Sequence, residues 1–300
     1  MELVLAVPNL NGARYLEATL RSLALNRPWV RWHFQDGGST DASLDLALRY
    51  ASPRDTVVSE PDAGQADALN RAFDRMGGDV VGFLNSDDCL ADGAAQAVLE
   101  EFHRDPELDL LYGEVEVIDA QGAHVRTHRG HISSLAEILD IYEVWWGNRQ
   151  WVQPEVFFRR RLWERVGPFD TRYRLAFDYD YWVRCFLAGA KVKRIPRVLA
   201  RFRLHENQKS RAAVEAADEI RSIVGEALRK RPPISLLRAW KLARRLSYDR
   251  YQSGYDRRRG KARLSFAAAL LSHPTWLAVP EVRQRIRISL SRRWLRAASG

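Results

Sequence analysis

The chain has 300 residues, 46% hydrophobic and 28% charged, with a formal net charge of +9. This composition excludes a disordered or fibrous protein, and no run of about 20 apolar residues offers a membrane-spanning helix. The charge is unevenly divided: residues 229–300 hold 19 Lys and Arg against three acids, while residues 1–228 carry a net charge of −7.

Leu3–Pro8, "LVLAVP", reads as a short buried strand. After a polar loop, Leu16, Leu20 and Leu23 recur at helical spacing, with Thr19 and Ala24 on the same side. "WVRWHF" is a second strand, ended by the turn-forming "QDGGSTD". There Asp41 caps a helix whose apolar positions are Leu44 and Leu48. "TVVSE" is a third strand, "PDAGQ" a loop, and Leu69 and Phe73 mark the helix after it. "VVGFL" is a fourth strand and runs into "NSDD". Four strand–helix repeats with short connections predict a mostly parallel sheet covered by helices, with ligands outside the carboxyl ends of its strands.

A helix over "DGAAQAVLEEFHRD" precedes the strand Leu108–Asp119, and "AQGA" is a turn. Trp145, Trp146 and Trp151 cluster next. "QPEVFFRRRLWERVGPFD" reads as strand, helix and turn, and Phe177–Gly189 as a helix with Trp182, Val183, Phe186 and Leu187 at core spacing. "VKRIP" and "VLARFRLH" are expected to be two closing strands. Beyond about Ser210 the chain reads as polar-to-basic helix, interrupted at "RPP" and "SHP". Cys89 and Cys185 read as free thiols, and the N-terminus lacks the features of a signal peptide, so a cytosolic setting is expected.

Three of the strand ends carry polar clusters: Pro8, Asn9 and Asn11 after the first, Asp36 after the second, and Asn85–Asp88 after the fourth. The "PDAGQ" loop joins them after the third. Adjacent carboxylates such as Asp87 and Asp88 repel unless a cation neutralises them. A hard divalent ion, Mg²⁺ or Mn²⁺, sharing its coordination with a diphosphate would do so. A turn with a helix-capping aspartate suits the same residues, and spacing alone leaves both readings open. Asp178 and Asp180 flank Tyr179 and fall on different helix faces. One suits a general base, and both suit the positive end of a helix dipole. His205 ends a strand, and either ligates a metal or phosphate or is structural.

In order, "AVPNLNGARYLEATLRSL", "QDGGSTD", "SEPDAGQADALNRAF", "GFLNSDD", "QPEVFFRRRLWERVGPFDTRYRLAFDYDYWVR" and "RFRLHENQKS" resemble a family 2 glycosyltransferase of the GT-A type, over roughly Leu3–Ser210. The resemblance implies a Rossmann-like α/β fold. Residues 1–107 would be the nucleotide-sugar-binding half, 108–215 the acceptor-binding and catalytic half, and 216–300 a basic helical extension. It implies inverting transfer from a nucleotide diphosphate sugar, UDP by family expectation, with Mn²⁺ or Mg²⁺, to a hydroxyl of a glycan or lipid-linked acceptor in surface-polysaccharide synthesis. Asp36 would contact the uracil, and Pro8, Asn9 and Asn11 would line the nucleoside. Asp62 and Gln65 would lie near the ribose or donor sugar. Asp87 and Asp88 match the metal motif, with Asp88 the expected direct ligand and His205 near the metal-bound diphosphate. Asp178 matches the catalytic base. Two positions depart from the pattern: Asn85 and Gly37 stand where many relatives carry acids.

Trp145, Trp146 and Trp151 suit either an acceptor platform or core packing. The basic tail holds two amphipathic stretches. In 234–251, Leu237, Trp240 and Leu246 lie among Arg238, Lys241, Arg244 and Arg245; in 281–298, Val282, Ile286, Leu290 and Trp294 lie among six arginines. This pattern suits an anionic membrane surface at the cytoplasmic face better than nucleic acid. Two other classes compete with a transferase: a sugar nucleotidyltransferase, for which "PNLNGARY" is poor in glycine and basic residues, and a non-catalytic nucleotide-sugar or polysaccharide-binding protein.

Overall fold

The computed structural model describes the chain except residues 146, 207, 209–212, 258–262 and 298–300, and leaves out the side chains of 213–214, 253–257, 263–265, 267–268 and 289–297 as well. Two compact units result, Met1–Ile220 and Arg221–Gly300.

The first unit opens as β1 (Leu3–Asn9), α1 (Ala13–Leu25), β2 (Val30–Asp36), α2 (Ser43–Tyr50), β3 (Thr56–Ser59), α3 (Gln65–Arg75) and β4 (Val80–Phe83). It continues with β5 (Cys89–Leu90), α4 (Ala94–Arg104), β6 (Leu110–Ile118), β7 (His124–His128), α5 (Leu135–Ile138), α6 (Ile141–Val144), β8 (Val156–Arg159), α7 (Arg160–Val166), α8 (Phe177–Leu187) and β9 (Val192–Arg203). α9 (Ala213–Arg229) follows. The strands form one sheet in the order β3-β2-β1-β4-β8-β6-β9-β5, with β7 pairing β6 off this path.

β1, β2, β3 and β4 pair in parallel, as four strand–helix repeats require. Every residue of β1 is buried because the strand has a parallel neighbour on each side and helices over its faces. Leu16, Leu20 and Leu23 of α1 supply one of those covers. The register aligns Asn9 with Asp36 and Asp36 with Ser59, so three strands end level. Beyond β4 the sheet is mixed: β8 is antiparallel to β4 and β6, and β9 is parallel to β6.

Three local expectations change. "VKRIP" and "VLARFRLH" form the single strand β9, in which the register against β6 slips around Pro196, as a residue without an N–H demands. β7, a polar edge strand, was hidden by its exposed, charged composition. Leu48 is exposed, and α2 buries Ser43 and Ala47 instead.

The second unit contains α10 (Leu236–Arg257), α11 (Arg263–Ser272), a 3₁₀ turn Pro274–Ala278 and α12 (Pro280–Ala297). Its own small core is Tyr248, Trp276, Val279 and Val282, with Tyr251, Phe266 and Ile286 against it. Val282 and Ile286 of the expected second amphipathic stretch are therefore turned toward protein. The side chains of Leu290 and Trp294 lie outside the described residues. No described helix is long and apolar enough to cross a membrane.

Candidate functional site

The loop after β1 is tied to the loop after β2. The Asn9 amide Nδ2 donates to Asp36 Oδ1 at 2.9 Å and to Ser39 Oγ at 3.1 Å. Asn11 adopts a left-handed backbone, φ 51°, which asparagine tolerates better than most residues. Its amide donates to Ser39 Oγ at 2.7 Å, and its Oδ1 accepts from Thr40 N at 2.8 Å. At Gly12 a Cβ would meet Asn9 Oδ1 and Ser86 Oγ, so a bare backbone lets the first and fourth loops close together. Asn9 Oδ1 is buried with no hydrogen-bond partner among the described residues. Pro8 is buried inside β1, in register with Gln35.

Asp36 is fully buried. Its carboxylate accepts from Asn9, from the Ser39 hydroxyl, from Ser39 N at 2.8 Å, from Gly38 N at 3.2 Å and from Ser59 Oγ at 2.7 Å. Burial pushes its pKa up, but the bonds from Ser39, Asn9 and Ser59 outweigh burial and hold it below the ordinary carboxylate value. Five donors saturate the roughly four lone-pair sites of a carboxylate. In this arrangement Asp36 locks three loops together.

Asp62 stands beside it. Its Oδ1 accepts from Gly64 N at 2.8 Å, while Oδ2 lies against Gly37. Gln65, the first residue of α3, donates to Asn85 Oδ1 at 2.7 Å. Asn85 passes the contact on, donating to Asp88 Oδ2 and Gln153 Oε1, both at 3.2 Å. The amide at position 85, where an acid was the family expectation, is thus a relay between the third and fourth loops.

Asp87 and Asp88 point to different environments. Asp88 is fully buried; its Oδ1 accepts from Arg203 N at 3.0 Å and its Oδ2 from Asn85. Burial, followed by repulsion from Asp87, raises its pKa well above the ordinary carboxylate value. Asp88 fastens the fourth loop to β9, with its carboxyl enclosed. Asp87 keeps a partly exposed carboxylate, 2.9 Å from His205 Nε2. His205 Nδ1 is buried with no partner among the described residues. One carboxylate oxygen and one imidazole nitrogen suit Mn²⁺ or Mg²⁺ if substrate phosphates and water complete the shell. No group of three or more His, Cys, Asp or Glu side chains gathers at metal-binding distance among the described residues.

Arg203 backs this pair. It is buried, donates to the backbone carbonyls of Asp87 at 3.0 Å and Asp119 at 3.3 Å, and lies 5.0 Å from the Tyr15 ring centre. Tyr15 in turn packs at 4.7 Å on the His205 ring.

Asp178 sits in the first turn of α8. The preceding Phe177 ring is 6.0 Å from Phe83, the last residue of β4, which sets this helix start at the strand end that delivers Asp87. Desolvation pushes the Asp178 carboxyl up to about 6, with the nearby Glu219 charge adding to the rise. Glu219 accepts from the amides of Arg174, Leu175 and Ala176 at 2.8–3.1 Å, which pins the segment entering α8. Asp180 is engaged elsewhere, with Arg184 at 2.7 Å.

Trp151 is core: its ring lies 4.6 Å from Tyr112 and 5.8 Å from Phe186. Trp145 packs edge-on to Tyr179 at 5.7 Å, and Trp146 lies outside the described residues. The residues missed from sequence are Ser39, Ser59, Gln153, Arg203 and Glu219. Only Ser39, within "DGGST", carried a local signal, as a turn serine; the others matter through contacts between distant segments.

The family model described as Glycosyl transferase family 2 matches residues 4–180. A "PGL/p-HBAD biosynthesis glycosyltransferase" of Mycobacterium tuberculosis (strain ATCC 25177 / H37Ra) is 32% identical over 198 residues, 64% of this chain and 73% of the relative. Among solved structures, S. aureus TarS 1-349 in complex with UDP-GlcNAc matches with a TM-score of 0.64 and 15% identity, over 93% of this chain and 79% of TarS 1-349. Mannosyltransferase PcManGT from Pyrobaculum calidifontis, in complex with GDP-Man and Mn2+, matches with a TM-score of 0.57 and 20% identity, over 95% of this chain and 82% of that one. Both likenesses establish the GT-A fold.

Proposed function

The chain belongs to glycosyl transferase family 2 and is a glycosyltransferase with a nucleotide-sugar donor, and we propose that it inverts the transferred sugar with Asp178 as base and Asp87 and His205 at the donor diphosphate. The observation that carries this reading is the convergence of four loops at the carboxyl ends of β1–β4, with Asp87 of the fourth loop paired to His205 beyond β9 and the start of α8 packed against the end of β4. The bound UDP-GlcNAc and GDP-Man of the two structural neighbours support a nucleoside diphosphate in these loops. UDP is the expected nucleotide, with GDP and dTDP as the alternatives.

The chemistry follows from the side chains. Asp178 accepts the proton of an acceptor hydroxyl as that oxygen attacks the anomeric carbon. The bond from that carbon to the diphosphate oxygen breaks on the opposite face, so the configuration inverts and a nucleoside diphosphate leaves. A carboxyl raised to about 6 by burial still ionises near neutrality and takes a proton more readily than an ordinary aspartate. Asp87 and His205 would hold Mn²⁺ or Mg²⁺, whose role when bound is to stabilise charge on the leaving diphosphate. Glu219 and Arg203 act through others: the first sets the start of α8, the second holds the loop bearing Asp87.

Residues 1–107 then serve the donor and 108–215 the acceptor, a hydroxyl of a glycan or lipid-linked carrier in surface-polysaccharide synthesis at the cytoplasmic face. The testing experiment is release of nucleoside diphosphate from a panel of UDP-, GDP- and dTDP-sugars with Mn²⁺. Turnover of one donor is expected; inertness toward all would favour a binding protein.

A further inference from the structure

Gly37 and Asp62 share one space. A Cβ on Gly37 would lie 2.6 Å from Asp62 Oδ2 and 3.2 Å from its Cγ, and the nearest atoms all belong to Asp62. The backbone at Gly37 lies outside the left-handed region, so conformation does not demand glycine there. The Asp62 carboxylate occupies the space that a side chain there would take. Asp36 is saturated by five protein donors, whereas Asp62 Oδ2 has no partner among the described residues. We propose that Asp62 delivers, from the β3–α3 loop, the carboxylate that reads the donor's nucleobase, and that Gly37 is the vacancy that admits it. This inference rests on the nucleotide-sugar reading above. A carboxylate facing the ring nitrogen of the pairing edge favours uracil, thymine or guanine, which carry an N–H there, over cytosine, whose N3 is a bare acceptor and whose pairing-edge donor is the exocyclic N4 amino group.

The test is calorimetric binding of UDP, GDP, dTDP and CDP, with Mn²⁺, to the wild type, Asp62→Asn, Gly37→Asp and the double variant Gly37→Asp/Asp62→Ala. Thermal melts identify folded variants, and Asn retains an acceptor for Gly64 N. Asp62→Asn should weaken the preferred nucleotide roughly tenfold to a hundredfold and erase discrimination against CDP. Gly37→Asp should also weaken it, by crowding, and the double variant should recover most of the loss. Wild-type affinity and selectivity in Asp62→Asn, or a double variant no better than Asp62→Asn, overturns the inference. A wild type that binds none of the four overturns the donor reading itself.

A separate observation concerns the second unit. At the start of α10, Leu236 is 89%, Leu237 62% and Trp240 37% exposed. Helical spacing puts these three on one side together with Lys241 and Arg244, while Leu242 and Leu246 are buried on the other. Arg244 lies over the Trp240 ring at 5.7 Å. From Arg229 to Tyr248 the sequence has seven Lys and Arg and no acid. The geometry points to an anionic lipid surface as the occupant of this face, with Leu236, Leu237 and Trp240 entering the interface and the cations meeting headgroups. This edge is narrower than the two stretches expected from sequence, because Leu246, Val282 and Ile286 pack within the protein.

Co-sedimentation of the full chain tests it, with vesicles of phosphatidylcholine alone and with 30% phosphatidylserine as roughly a physiological anionic load. Binding to the anionic vesicles, weakened by salt and abolished in Leu236→Glu/Leu237→Glu, is expected. Both positions are exposed, so that variant should melt as the wild type does. No pelleting, equal pelleting on both vesicles, undiminished pelleting of the variant, or retention by duplex DNA alone overturns the proposal.

Discussion

His205 Nε2 lies 2.9 Å from Asp87 Oδ2, joining the loop after β4 to the residue two places beyond β9. The neighbouring Asp88, by contrast, is enclosed by Arg203 N and Asn85. Asp87→Ala and His205→Ala should therefore melt near the wild-type temperature but lose the Mn²⁺-dependent increase in UDP affinity. Asp88→Ala should instead destabilise the fold by about 2–4 kcal/mol, because it strips a buried network of its acceptor. Thermal shift with UDP, with and without Mn²⁺, separates the two. An Asp87→Ala protein that keeps the metal effect would return the ligand role to Asp88.

Asp178→Asn should reduce transfer about 10²–10⁴-fold while UDP binding survives. Because Asp178 must be ionised to act and its pKa is raised to about 6, activity should rise with pH through about 6 and be lost below it. Glu219→Gln removes a charge that pushes this value up, so the rising limb should move to lower pH. A pH–rate profile measures both shifts, and a profile unchanged in the Glu219 variant would place Glu219 outside the electrostatics of the base.

Asp36→Ala should cost about 2–4 kcal/mol of stability by leaving Ser39, Asn9 and Ser59 without an acceptor in a buried site. Urea midpoints on folded protein check this. A fully stable variant that has lost UDP affinity would assign Asp36 to the nucleoside rather than to the loops.

Trp151→Ala should cost about 3–5 kcal/mol, as removal of a large buried ring does. Acceptor KM in any folded remainder should stay near the wild-type value. A stable variant with raised acceptor KM would restore the sugar-platform reading.

The parallel half of the sheet was legible because its signals are local. Apolar runs, turn residues at their ends and a leucine stripe in α1 each lie within a few residues, and the resulting topology sends Asn9, Asp36 and Asn85–Asp88 to one end. β9 was split in two because Pro196 reads as a terminator, whereas the sheet absorbs it in a bulge. Which of two adjacent aspartates faces solvent is decided by Arg203, 115 positions from Asp88, and no local pattern carries that information. The same holds for Asp62, whose meaning appears only when Gly37 is found beneath it. In the basic tail, the sequence grouped Leu237 and Trp240 with Leu246, which is buried on the opposite side of α10, and no local pattern says that Val282 packs with Trp276 and Tyr248.

The central claim is that these loops and the start of α8 form one site for sugar transfer with a carboxylate base. It is tested most directly by single-turnover release of UDP, GDP or dTDP from the matching nucleotide sugars with Mn²⁺, wild type beside Asp178→Asn. Release by the wild type, with a variant that binds the same nucleotide equally well yet releases it at least about a hundredfold more slowly, is the predicted result. Equal rates for the two proteins would contradict it.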